Sequence, residues 1–213
     1  MSTTEVSEWT KFCRLQASYG VAGFSFGSSS LKHGDIYRFG ARYSLAADLA
    51  SVSVNGRTTN TSDGYAQLIR AVMAWGVVES YFSLHGVSIT SKAKTRIPNL
   101  VPLYDPSDLI ILKNKLNHGQ CFKFFNELKL HVNKDHQNVI NDYLNNPNGS
   151  YDVSYLFSAI RHAFAHGILT PHTGKVTPSV TVRICKSIIT FFLNLVSEEF
   201  GKIVRLHPSY STV

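Results

Sequence analysis

The chain has 213 residues, of which 44% are hydrophobic and 16% charged, and its formal net charge is +7 at pH 7. This composition excludes an intrinsically disordered chain, and the length suits one domain with a sizeable core. The positive charge favours an anionic partner, with nucleic acid first, an acidic protein second and a membrane surface a distant third.

Cysteine usage and the terminal segment indicate the compartment. The three cysteines are isolated and odd in number, which indicates neither a disulfide framework nor a zinc ribbon and is typical of a reducing environment. The N-terminus is polar and lacks the apolar core of a signal peptide. The most apolar window, 184–196, is interrupted by Lys186 and is too short to span a bilayer. We therefore expect a soluble, cytoplasmic protein with no membrane partner.

Apolar residues at helical spacing, together with helix-capping residues, predict an all-α fold. The predicted helices, in chain order, span residues 4–18, 35–53, 65–85, 106–117, 120–131, 135–144, 152–167 and 177–204. The residues expected to start or stop them are Asp35, Ser62 or Asp63, Asp105 with Pro106, Gly119 and Gly167.

Three segments interrupt this helical pattern. The Gly/Ser-rich stretch 20–34 predicts a loop or a short hairpin, and the polar run 55–64 predicts a linker between helices. Pro98 and Pro102 predict an extended connection over residues 86–105, because proline disfavours the helical conformation in the residue before it.

The N-terminal third gives the least decisive pattern. Residues 20–60 contain aromatic and β-branched residues that could equally form strands. We therefore expect one compact domain in which residues 1–61 form an irregular, partly stranded N-terminal embellishment. It would pack on a helical core of residues 62–213.

The segment 159–167 carries the chemistry of greatest interest. Arg161 is followed directly by His162 and, five positions after the arginine, by His166. An always-charged guanidinium and imidazoles that titrate near neutrality are the groups that binding or cleavage of a phosphodiester requires. On a helix the two histidines lie one turn apart, on the side opposite the apolar stripe. The face predicted to be away from the core comprises Ser154, Ser158, Arg161, His162, Ala165 and His166.

Two other interpretations of these residues are open. They can be ordinary solvent-facing residues of an amphipathic helix. They can also hold zinc, because histidines four apart grip a metal from one helical face. A zinc site needs a third ligand, and no HExxH, cysteine or carboxylate cluster lies nearby in the sequence, so we expect no metal.

The Arg-x4-His spacing with a polar residue after the arginine resembles the signature of the HEPN superfamily. In that superfamily the motif lies on a helix that precedes the last one, as Arg161, His162 and His166 do here. The specific part of the resemblance is residues 161–166, and a looser similarity in helix order covers about 62–204. No tyrosine follows His166 closely, in contrast to the variant of the family that is controlled by nucleotidylation.

The resemblance implies an HEPN-like helical bundle and a metal-independent endoribonuclease, of the kind that serves as a toxin or phage-defence effector. Arg161 would stabilise charge on the phosphate oxygens, His166 would be the general base or acid, and His162 would orient one of them. The partners it implies are an RNA substrate, a second copy that completes a composite active site, and an antitoxin or inhibitor protein. It implies no cofactor.

A second basic feature lies between residues 92 and 134, where eight Lys or Arg stand against three acids. Interleaved with aromatic residues, it can line an RNA path, with Lys113, Lys115 and Lys123 as candidate contacts. The alternative is a solvated face above core aromatics.

Two further functions agree with the same residues. The chain can be a non-catalytic helical module of this fold that binds RNA or another protein. It can also be a subunit of an antitoxin-like complex in which the positive charge serves an acidic partner.

Overall fold

The computed structural model describes residues 4–28, 30–90 and 92–213. Within these ranges the chain forms nine α-helices and no β-strand, so the predicted all-α class is confirmed. The helices are α1 (Trp9–Tyr19), α2 (His33–Asp48), α3 (Thr59–Leu84), α4 (Ala93–Leu100), α5 (Pro106–Leu116), α6 (Gly119–Leu128), α7 (Lys134–Asn145), α8 (Val153–Ala165) and α9 (Pro178–Arg205). Short 3-10 turns are Val101–Leu103, Lys129–His131, Thr173–Lys175 and Tyr210–Thr212.

The core is built around the two longest helices, α3 and α9, which pack against each other. Helix α2 covers α3 on one side and α8 covers it on another. Trp75 of α3, Phe157 of α8 and Phe192 of α9 meet at ring-centroid distances of 5.3 and 5.0 Å. This aromatic cluster fixes α8, the helix with the Arg-x4-His motif, to both central helices.

Helix α9 is longer than its most apolar window suggests. Among the described residues it is the one helix long and apolar enough, by length and composition, to cross a membrane. However, 61% of its most hydropathic window is buried inside the bundle, whereas Lys186 is exposed. Packing against α3 accounts for the apolar composition.

The N-terminal helices begin and end at other residues than predicted. Helix α1 begins at Trp9, and α2 begins at His33 because Asp35 caps it from inside the first turn, its Oδ2 accepting from the Lys32 amide at 2.9 Å. Helix α3 begins within the predicted linker, where the Thr58 hydroxyl accepts from the Thr61 amide at 3.3 Å. The expected cap at Ser62 or Asp63 was therefore wrong.

Residues 20–28 and 30–32 form a loop, residues 33 and 34 already belong to α2, and no strand forms in the described part of residues 20–60. Phe24 and Phe26 are buried, and they contact Phe12 of α1 and Phe200 of α9 at centroid distances of 5.0 and 5.7 Å. These aromatic side chains therefore belong to the helical core and are not part of a β-strand.

The predicted extended connection over residues 86–105 was wrong, because α4 forms in the middle of it. Pro98 lies six residues into an eight-residue helix, where its missing N–H removes one hydrogen bond close to the end. Burial of Arg96 and Leu100 holds this short helix on the core. Tertiary contact thus outweighs the local preference.

Of the next two capping predictions, the one at Asp105 agrees with the structure and the one at Gly119 was wrong. The Asp105 carboxylate caps α5 by accepting from the Ser107 amide at 2.9 Å, as the Asp-Pro pair predicts. Gly119, in contrast, was expected as a stop and is instead the first residue of α6. The His118 imidazole caps that helix, its Nδ1 accepting from the Gln120 amide.

Candidate active site

Helix α8 lies inside the bundle for its first eight residues and emerges only at its last turn. Every side chain from Val153 to Ile160 is buried. At its start, the Asp152 carboxylate accepts from the Ser154 amide at 2.9 Å and from the Tyr104 hydroxyl at 2.7 Å. The helix is therefore held firmly at the end away from the motif.

The end of α8 is a Schellman turn, in which the Gly167 amide donates to the Phe164 carbonyl and the Ile168 amide to the Ala163 carbonyl. Gly167 has a φ of 72°, the left-handed conformation that glycine adopts readily. The predicted stop at Gly167 thus agrees with the structure. His166 is the last residue before this turn and is exposed.

The prediction that one face of α8 is exposed was wrong for the first half of the helix. Ser154 and Ser158 are buried, because α7 covers this side of α8 and Arg96 reaches it from α4. The second half of the face is open: Ala165 and His166 are exposed, and Arg161 and His162 are partly so.

His162 and His166 form a close imidazole pair, with ring centroids 4.4 Å apart. Partial burial, then the nearby His166, then Arg161 lower the pKa of His162 below its ordinary value. The lowered pKa favours the neutral form of the His162 ring, which can accept a proton.

Arg161 lies beside this pair, close enough to lower the pKa of His162. Within the described part of the chain, its guanidinium makes no ion pair with a carboxylate. A partly exposed guanidinium with no internal anion is suited to an external one. The C-terminal end of a helix also favours positive charge.

A third imidazole lies behind the pair. His136 of α7 stacks on His162 with ring centroids 6.3 Å apart and planes 20° apart. It is only 3% exposed, and its Nε2 lies 2.8 Å from the Ser158 hydroxyl and its Nδ1 2.7 Å from Asn133 Oδ1. The sequence places His136 among several scattered histidines, and its one local signal is the Asn133 cap three residues before it.

Arg96 of α4 is the second residue that the sequence did not indicate. Its guanidinium is 1% exposed, donates to the Ser158 hydroxyl at 2.9 Å and to the Thr90 carbonyl at 3.2 Å, and lies 4.1 Å from the Tyr155 ring centroid. Burial lowers its pKa. No sequence signal marks it, since α4 itself was expected to be extended.

The three candidate RNA-binding lysines lie on α5 and α6, whereas Arg161, His162 and His166 lie at the end of α8. Lys113 donates to the Gly149 carbonyl at 2.7 Å and lies 4.7 Å from the Tyr151 ring centroid, and burial lowers its pKa. It borders a cleft of about 480 Å³ whose other charged residues are Asp135, Asp142 and Asp152. Lys115 and Lys123 are exposed, on α5 and α6.

The row of imidazoles does not resemble a metal centre. Among the described residues, no group of three or more His, Cys, Asp or Glu side chains is arranged to hold an ion. Both ring nitrogens of His136 already contact Ser158 and Asn133.

Comparison with protein-family models, with curated proteins and with solved structures finds no match to this chain. The chemistry and placement of Arg161, His162 and His166 are therefore the features that indicate a function.

Proposed function

We propose that this protein is a metal-independent endoribonuclease with Arg161, His162 and His166 in its active site. The observation that carries the proposal is their common placement on the exposed last turn of α8, with the two imidazoles 4.4 Å apart and the guanidinium free of any carboxylate in the described residues. An anion-binding guanidinium beside two imidazoles supplies the groups that transfer of a phosphoryl group to a 2′-hydroxyl needs.

In the proposed reaction the 2′-hydroxyl of RNA attacks the adjacent phosphorus. A base takes the 2′ proton, a new 2′-O–P bond forms, and the P–O5′ bond breaks as an acid gives its proton to the leaving 5′-oxygen. The products are a 2′,3′-cyclic phosphate and a 5′-hydroxyl. Arg161 stabilises the negative charge that develops on the two non-bridging oxygens.

The imidazole pair suggests how the two proton-transfer roles divide. His162 is the partly buried ring with the lowered pKa, so it is the neutral base of the pair. His166 is the exposed ring, so the acid role, which needs access to the leaving oxygen, falls to it. This assignment differs from the orienting role that the family resemblance implies for His162.

A second copy of the chain would complete the geometry. The attacking and leaving oxygens lie on opposite sides of phosphorus in an in-line displacement. Two rings 4.4 Å apart on one helix turn approach a phosphate from the same side. We therefore propose a homodimer in which His166 of one copy faces Arg161 and His162 of the other.

The biological setting comes from the HEPN resemblance alone. It favours a cytoplasmic toxin or phage-defence effector held in check by an antitoxin or inhibitor protein. No cofactor enters the proposed reaction.

The direct test is cleavage of 5′-labelled RNA in EDTA by the native protein and by Arg161→Ala and His166→Ala. We expect each variant to lose at least about 100-fold in rate, since general acid–base and charge-stabilising groups each contribute that much or more. The matched controls are Arg57→Ala and His33→Ala, both exposed and on elements distant in sequence from α8.

The same variants test the dimer. If Arg161 and His166 of one site belong to different copies, mixing the two inactive variants restores about a quarter of native activity, because half of the dimers are mixed and each has one intact site. Undiminished cleavage by both variants excludes these residues from the reaction. RNA binding without product favours the non-catalytic module.

A further inference from the structure

The side chain of Arg96 lies in the interior of the protein. It is a cation, 1% exposed, with no carboxylate in an ion pair among the described residues. Its hydrogen-bond acceptors are neutral, the Thr90 carbonyl and the Ser158 hydroxyl, and its plane lies near the rings of Tyr155 and Trp75. Asp152 and Glu79 are near enough to favour the charged form of Arg96, but neither makes an ion pair with it. A buried charge without a direct ion pair is costly to keep.

The hydrogen bonds around Ser158 favour one direction. Arg96 can only donate, so the Ser158 oxygen accepts from it at 2.9 Å. The Ser158 proton has two acceptors within reach, His136 Nε2 at 2.8 Å and the Tyr155 carbonyl at 3.4 Å, and the shorter contact favours Nε2. Nε2 is then the unprotonated nitrogen of that ring.

The other side of the ring agrees. Asn133 Oδ1 accepts from the backbone amide of His136 at 3.1 Å, which identifies that atom as the oxygen. An oxygen 2.7 Å from Nδ1 requires a proton on Nδ1. The shortest contacts of the chain Arg96–Ser158–His136–Asn133 are therefore all satisfied by the neutral Nδ1–H tautomer of His136.

The order serine, histidine, asparagine also matches a nucleophile, its base and an orienting group. Here, however, Ser158 is 5% exposed and His136 is 3% exposed, and the serine oxygen already accepts from Arg96. A substrate cannot reach this hydroxyl. The arrangement acts on its neighbours and not on a bound substrate.

We propose that the buried Arg96 and Ser158, together with the exposed Asn133, form a positioning network that holds the buried His136 as a neutral ring in one tautomer, and so provides a fixed, uncharged surface against which His162 stacks. The effect on catalysis rests on the proposed ribonuclease function, whereas the protonation state of His136 does not. A neutral His136 places no positive charge beside the partly exposed His162.

The charges around His136 support this assignment. The groups that face it are Arg96 from α4, Tyr155 and His162 from α8, and Asp135 from its own helix. Burial, then Arg96, then His162 lower the pKa of His136 to about 4, and Asp135 opposes them. A positive charge on His136, 6.3 Å from His162, would instead compete for the proton that the pair needs.

The test is long-range ¹H–¹⁵N NMR of the histidine rings in the full-length protein between pH 4.5 and 8. In the native protein we expect His136 to remain mainly the neutral Nδ1–H tautomer over this range while His162 titrates. Ser158→Ala removes the donor to Nε2, so the pKa of His136 should rise by about 1 and its second tautomer should appear. Arg96→Met removes the neighbouring charge and should raise that pKa further.

The matched control is Ser154→Ala, which changes another buried serine one turn earlier on α8, bonded to Asp152 and not to His136. It should leave the His136 signals unchanged. A native His136 that titrates near its ordinary pKa, or a tautomer and titration unaffected by both Ser158→Ala and Arg96→Met, would overturn the proposal.

This measurement needs no RNA, so it separates the two proposals. Confirmed NMR behaviour without cleavage would leave the network in place and remove the ribonuclease. In a cleaving protein, the acid limb of the pH–rate profile should shift in Ser158→Ala and not in Ser154→Ala, a change that a purely structural serine would not produce.

Discussion

The two halves of α8 differ sharply in their surroundings. Residues 153–160 are buried on every side, and even the serines among them are bonded to partners inside the protein. Residues 161–166 emerge from the bundle, and Arg161 makes no ion pair with a carboxylate in the described part of the chain. Helix α8 thus has a buried first half that is held in place by its neighbours, and an exposed end at which, in the described part of the chain, the Arg161 guanidinium has no carboxylate partner.

The comparison shows how a small bundle can present reactive groups with precision. Positioning a side chain for catalysis requires support from packed neighbours, and an isolated surface turn does not give it. In α8 the support comes from the aromatic cluster of Trp75, Phe157 and Phe192 below the tip, and from His136 beside it. We expect mutations in the first half to cost stability and mutations in the second half to cost function.

The largest expected effect on stability is that of Phe157→Ala, which removes the ring between Trp75 and Phe192. It should lower the free energy of unfolding by about 3–5 kcal/mol, the usual cost of deleting a buried aromatic ring. Arg161→Ala, one turn further along the same helix, should change it by less than about 0.5 kcal/mol. Urea unfolding followed by circular dichroism measures both. Similar losses in the two variants would contradict the division of the helix.

A smaller effect is the pH dependence of the unfolding free energy that His136 causes. This ring contacts Ser158 in the first half of α8 and stacks on His162 in the second half. The pKa of His136 is about 4 in the folded protein and near its ordinary 6.5 when unfolded. Above pH 6.5 the ring is neutral in both states and adds no pH dependence. As the pH falls from 6.5 to about 4, the unfolded chain binds the proton first, so stability declines by up to about 3 kcal/mol.

The control for this pH effect is His136→Gln, whose amide can still accept from Ser158 but does not titrate. Between pH 7 and pH 4.5 the native protein should lose more stability than His136→Gln, and the difference is the share due to His136. Parallel stability–pH curves would show that this ring takes up its proton as readily when folded as when unfolded.

Much of this fold follows from local sequence signals. Caps that act through neighbouring residues were predictable, as with Asp105 and Gly167, because the hydrogen bonds they make span only a few positions. The motif residues were also predictable as a group, since adjacency on one helical turn is fixed by spacing alone.

The remaining features depend on contacts between distant residues. Ser158 reads as exposed on a helical wheel, but Arg96, 62 positions earlier, and His136, 22 positions earlier, cover it. Pro98 predicts a break in the helix, but burial of Arg96 and Leu100 keeps α4 helical. Local periodicity cannot show which polar residue receives a partner from elsewhere in the chain, and the supporting half of the candidate site consists of such residues.

The smallest expected effect concerns the turn that ends the exposed tip. Gly167 has a φ of 72°, and a methyl group there would meet no atom within 4 Å, so the cost of Gly167→Ala is one of backbone conformation alone. We expect a loss of about 1–2 kcal/mol in unfolding free energy, because alanine disfavours the left-handed region.

Gly119→Ala is the matched control for this turn. A methyl group there also meets no atom within 4 Å, but Gly119 lies in the first turn of α6, where alanine should be neutral or slightly stabilising. Because His166 directly precedes the turn, Gly167→Ala should also slow cleavage more than Gly119→Ala does, and equal rates in the two variants would show that the turn only ends the helix.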